Sequence, residues 1–83
     1  MPVIVRENGW RIWIYLNDHA PPHVHARRPD GGEVKVSLPI GGRELEFIEA
    51  KGLLPGKALE GVCLVQMHVE VLVAAWERIH GLR

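Results

Sequence analysis

An α+β fold is what this sequence predicts: a four- or five-stranded, largely antiparallel sheet with one long C-terminal helix packed on a single face. Three observations carry that prediction. Residues 3–38 alternate apolar and polar side chains at the period of a strand, with Asn8-Gly9 and Asp30-Gly31-Gly32 as turns between the runs. Residues 55–80 carry apolar side chains at helical spacing. Between them, Pro39 to Gly42 interrupts both patterns. The 83 residues suffice for a single domain with one modest core: two β-hairpins over 1–38, a connector over 39–54 and a helix over 55–80.

The first hairpin joins Val3–Glu7 to Trp10–Leu16 through Asn8-Gly9. A two-residue turn sets Glu7 opposite Trp10, Val5 opposite Ile12 and Val3 opposite Ile14. One face then carries Val3, Val5, Trp10, Ile12, Ile14 and Leu16, and the other Ile4, Arg6, Arg11, Trp13 and Tyr15. The second hairpin runs from His23–Arg28 to Glu33–Leu38. Its apolar face holds Val24, Ala26, Val34, Val36 and Leu38, and its polar face His23, His25, Arg27, Lys35 and Ser37. Glu44 to Glu49 fits a short strand or one helical turn equally. The helix begins after Gly52 at Pro55 and ends before Gly81. Its main stripe is Ala58, Val62, Val65, Val69, Leu72, Val73, Trp76 and Ile79. A second apolar patch, Leu64, Met67, Val71, Ala74 and Ala75 with Cys63 at its edge, points away from the sheet and is read as a surface for a small protein partner or a second copy.

Composition narrows the class. A hydrophobic share of 47% excludes a disordered chain. The single cysteine excludes an intramolecular disulfide framework and fits a reducing cytosol. Arg6 and Glu7 interrupt the opening apolar residues too early for a signal peptide, and no apolar run is long enough to span a membrane, so a cytoplasmic location is expected. Net charge is zero, with a mildly basic front half.

The densest chemistry lies in Asn17-Asp18-His19-Ala20-Pro21-Pro22-His23-Val24-His25, where three of the five histidines fall within seven residues. On a strand His23 and His25 share a face, and an imidazole serves as base, acid or metal ligand near neutral pH. Arg6-Glu7-Asn8-Gly9-Trp10, this histidine tract and a helix ending in Ala74-Ala75-Trp76 together resemble a family of small bacterial proteins, domain of unknown function DUF4160, over nearly the whole chain. The resemblance implies no settled biochemistry. It implies a neighbouring small protein, in an arrangement similar to a toxin–antitoxin pair.

Three functions compete on the residues. In the first, the chain is a structural or adaptor protein whose histidines are hydrogen-bonding struts and whose faces bind a protein partner. In the second, the polar sheet face binds or cleaves RNA: Arg6, Arg11, Trp13, Tyr15, Arg27 and Lys35 contact phosphates and bases, and His23 and His25 move protons without a metal or other cofactor. In the third, His19, His23 and His25 ligate zinc or iron, with Asp18, Glu33 or Glu46 in reserve. Trp10 and Trp76 are expected in the core, His68 and His80 on the helix surface, and Cys63 as a small, buried or semi-buried hydrophobe.

Overall fold

The computed structural model describes residues 3–15 and 21–81. Five strands form one antiparallel sheet in the order β1-β2-β3-β4-β5. They are β1 (Val3–Glu7), β2 (Trp10–Trp13), β3 (His23–Arg27), β4 (Glu33–Ser37) and β5 (Phe47–Lys51). Each strand pairs with its neighbour in sequence, so the sheet is a meander. Two helices, α1 (Pro55–Met67) and α2 (Val69–His80), follow. The expected α+β class and the antiparallel sheet are both present.

Asn8 and Gly9 both take positive φ, 52° and 84°. That is the turn whose twist matches a hairpin, and it sets Glu7 against Trp10 and Val5 against Ile12 as expected. The register then slips. A bulge between Val3 and Val5 pairs Val3 with Trp13 instead of Ile14. Val3 therefore lies on the polar face, while Ile4 packs with Val5 against the core. One extra residue on one strand reverses the alternation beyond it. Leu16, expected on the apolar face, lies outside the described residues.

The second hairpin follows its pattern closely. Val24, Ala26, Val34, Val36 and Leu38 are all fully buried, as are Ile12 on β2 and Ile14 just beyond it. Side chains of Val, Leu and Ile size contribute about 1.5–3 kcal/mol each when removed from water. Residues 47–51 resolve the connector as strand, with Leu45 packed under it. Ser37 holds this return: its Oγ donates to the Glu44 carbonyl at 2.7 Å and accepts from the Glu46 amide at 2.9 Å.

The single long helix is corrected to two, bent by 74° at His68. A straight helix over 55–80 would run about 39 Å, against about 17 Å for a five-residue strand. Bending keeps both halves on the sheet. The His68 imidazole fixes the corner, donating from Nε2 to Glu7 Oε1 at 2.9 Å. The β-branched run Val69, Val71 and Val73 makes a weak start for continuous helix. The bend also corrects the two helical stripes. Leu64 and Ala75, expected to face away from the sheet, are buried beside Ala58, Gly61, Val65, Leu72 and Trp76. Met67, Val71 and Ala74 do remain exposed, and so does Cys63, against expectation. Trp10 and Trp76 are core residues, as expected.

Gly61 marks the closest approach of α1 to the sheet. A Cβ there would lie 2.7 Å from the Trp10 ring and 2.8 Å from a Val34 methyl. Beside it, Trp10 Nε1 donates to Glu60 Oε1 at 2.9 Å, and the Arg28 guanidinium sits 5.3 Å from the centre of the Trp10 ring. Among the described residues no single helix is long and apolar enough to cross a membrane.

Candidate nucleic-acid interface

Both helices pack on the apolar side of the sheet, which leaves the opposite side to the polar register. Directly opposed residues share a face, so the ladder places these side chains row by row. One row reads Arg6, Arg11, Arg27, Glu33 and Lys51 across the five strands. The next reads Val3, Trp13, His25, Lys35 and Glu49. His23 and Ser37 begin a third. The two complete rows hold five cations and two carboxylates.

The arginine row is the unusual feature. Arg6, Arg11 and Arg27 stand side by side on adjacent strands, about 5 Å apart at the backbone. Like charges directly opposite one another destabilise a sheet. Arg27 is partly offset by Glu33, 4.0 Å away. Among the described residues neither Arg6 nor Arg11 has a carboxylate in ion-pair reach. Arg11, Arg27 and Arg28 line a cleft of about 320 Å³ with Trp13, Pro29 and Gly31. The Arg28 guanidinium itself turns to the Asn8 carbonyl, the Trp10 ring and Glu60, so Arg11 and Arg27 are the cations beside the Trp13 indole, donors for an anion next to a flat apolar ring. The indole nitrogen of Trp13 is buried, with no hydrogen-bond partner among the described residues, so the ring offers its π-face and edge rather than its N–H.

The histidines follow in the next two rows, His25 opposite Trp13 and His23 opposite Ser37. His25 is only 7% exposed although it points to the polar side. Its Nδ1 donates to Glu33 Oε2 at 3.0 Å, and the Tyr15 and His23 rings meet it edge-on at 4.6 and 5.0 Å. His23 Nδ1 donates to the Pro21 carbonyl at 2.8 Å. Carboxylate and carbonyl oxygens only accept here, so Nδ1 carries a proton in both rings. The aromatic contacts continue from His23 to Trp76 at 5.8 Å and from Trp76 to His80 at 4.0 Å.

The expected site residues thus lie in adjacent rows. Arg6, Arg11 and Arg27 form one, Trp13 and His25 face each other in the next, and the His23 and Tyr15 rings meet His25. Lys35 lies beside His25 but is paired with Glu49 at 3.7 Å. His19 and Asp18, expected as metal ligands, lie outside the described residues. Among the described residues no group of three or more His, Cys, Asp or Glu side chains is placed to hold a metal ion. Sequence reasoning did not include Arg28 in the site, although it directly follows Arg27. Alternation sends it to the opposite face, and only its position at the turn brings it to the cleft. His68 and His80 were expected on the surface, yet each is half-buried and engaged, His68 with Glu7 and His80 with Trp76.

Fold and face together define a small α+β domain with a helix-covered apolar side and an open polar side. The chain belongs to the family described as domain of unknown function DUF4160, whose model matches residues 9–77. No curated protein and no solved structure matches the chain.

Proposed function

We propose that this protein is a small binding module whose open sheet face takes single-stranded RNA. The observation behind this reading is the arginine row: Arg6 and Arg11 stand in direct register with Arg27 and, among the described residues, have no carboxylate in ion-pair reach. An incoming phosphodiester relieves that repulsion, and Trp13 beside it gives a base a surface to stack on. A flat sheet with aromatics suits unpaired bases better than a duplex, whose bases are already stacked. Binding is favoured over cleavage because the Nδ1 atoms of His23 and His25 are engaged by the Pro21 carbonyl and the Glu33 carboxylate. Fluorescence anisotropy with a labelled single-stranded RNA of roughly ten nucleotides tests this. The wild type should bind with a log–log salt slope near −2, since three phosphates each contribute about −0.7. Arg11→Ala/Arg27→Ala should lose most of the affinity and most of the slope. A wild type that fails to bind, or binding that survives the double substitution, refutes the reading.

A second reading rests on α2. Pro39, Val69, Val73 and Ala74 line an apolar cleft of about 360 Å³ flanked by Glu70 and Glu77. This surface suits a basic amphipathic segment, and a cytoplasmic toxin–antitoxin-like pair would seat its small protein partner there. Co-expression with the neighbour-encoded protein tests it. A stoichiometric complex lost on Val73→Glu supports the reading, and an intact complex removes it.

A further inference from the structure

We propose that two copies of this chain associate through the outer face of α1, antiparallel and crossing at Cys63. The observation is independent of the sheet face and of the α2 cleft. On the side of α1 away from the sheet, Gly56, Leu59, Cys63, Gln66 and Met67 are all exposed. Leu59 is 62% exposed and Met67 72%. A solvent-facing helix surface ordinarily carries charge along its length, yet here Lys57 and Glu60 at its margin are the only charged residues in α1.

The stripe is also matched to itself. In an antiparallel pair crossing at Cys63, each residue before the crossing faces the residue as many places after it. Leu59 then meets Met67 of the second copy, and Glu60 meets Gln66. Both contacts occur twice about the two-fold axis, as a closed dimer requires. The polar pair is chemically complete. Every contact that Glu60 makes within its own chain, to Trp10, Lys57 and Arg28, uses Oε1. Oε2 is left to accept from the Gln66 amide of the second copy. Small residues at the crossing and near the start of the helix, Cys63 and Gly56, allow close approach. With packed helix axes about 8–10 Å apart and a Cα radius of about 2.3 Å, Cα atoms facing across the crossing stand roughly 4–5 Å apart. That overlaps the separation of about 4.4–6.8 Å at which two cysteines bridge. Because the helix bends after Met67, the seam is short and the dimer is weak.

Sedimentation equilibrium of the full chain under reducing conditions reads the association directly. The mass should rise from monomer toward dimer over a range of roughly micromolar to hundreds of micromolar, as suits a small interface. Leu59→Lys and Met67→Lys, each checked for folding by circular dichroism, should remain monomeric. Diamide supplies a second readout: it takes two electrons and two protons from a facing pair of Cys63 thiols, becoming the hydrazine as the disulfide forms. The wild type should cross-link rapidly, Leu59→Lys at least tenfold more slowly, and Arg11→Ala at the wild-type rate. A mass that stays monomeric throughout, or a dimer that survives both lysine substitutions, overturns the proposal. Either result leaves the RNA reading untouched.

Discussion

The indole nitrogen of Trp10 and the carboxylate of Glu60, fifty positions apart in sequence, meet at 2.9 Å. The bond ties the first hairpin to the first helix. It also holds the Glu60 carboxyl below its ordinary value of 4.5, with the Trp10 hydrogen bond as the largest cause and the Lys57 hydrogen bond next. A carboxyl whose value is depressed on folding stabilises the protein above its unfolded value and loses that contribution as pH falls through the folded one. Glu60→Gln should therefore be less stable than the wild type near neutrality, with the gap closing in acid as pH falls through the lowered folded value. Urea midpoints at neutral and acid pH measure this. A gap that persists in acid would show that the carboxylate charge is not what Glu60 contributes.

Gly61→Ala should destabilise the domain even though alanine is the better helix former. The propensity gain is about 1 kcal/mol, while overpacking against a fixed ring and methyl costs about 1–3 kcal/mol. The new Cβ would meet the Trp10 ring and Val34, both in the packed core. We expect a net loss of up to about 2 kcal/mol, read from urea unfolding. A stabilised variant would mean that α1 stands further from the sheet than described here.

Glu33→Ala should move stability and binding in opposite directions. Losing the acceptor for the buried His25 Nδ1 costs about 1–3 kcal/mol. Losing the one carboxylate in the arginine row should strengthen RNA binding several-fold at low salt. Thermal unfolding and anisotropy on the same preparation test both signs together. Weaker binding by a folded variant would place the ligand away from that row.

His68→Ala should leave the bend in place. The corner is imposed by the mismatch between helix length and sheet length, and the His68–Glu7 contact only fixes where it falls. In a Cys63→Ser background, spin labels at residues 57 and 78 should give the same distance with and without His68. A longer distance would show that the side chain causes the bend.

Much of the fold could be read from short-range signals. Asn8-Gly9 gave the first turn and its register, because only a few residue pairs accept positive φ twice in succession. Val24, Ala26, Val34, Val36 and Leu38 gave the core, because alternation has a two-residue period and little room for error. What could not be read depends on longer range. The bulge at Ile4 leaves no mark on the hydrophobic pattern, since Val3, Ile4 and Val5 are all apolar. The corner at His68 depends on how long the sheet is, which no local window reports. Projecting one helix through that corner put Leu64 and Ala75 on the wrong side. Gly61, read as a weak point in the helix, is its point of contact with Trp10. In the site, the arginines aligned because the hairpin registers aligned. That His25 shares the Glu33 carboxylate with Arg27 depends on the register of β3 against β4.

The nearest-neighbour order of the strands bears on how the chain reaches this structure. No strand waits for a distant one: each hairpin closes on residues already adjacent to it, and the entropy lost in closing a short loop is small. The sheet can thus assemble progressively from its first turn, before the helices exist to cover it. During that interval its apolar side is bare, and we expect the folding barrier at the arrival of α1 on Trp10 and Val34. Substitutions at this contact, and at the Asn8-Gly9 turn formed before it, should slow refolding more than they speed unfolding.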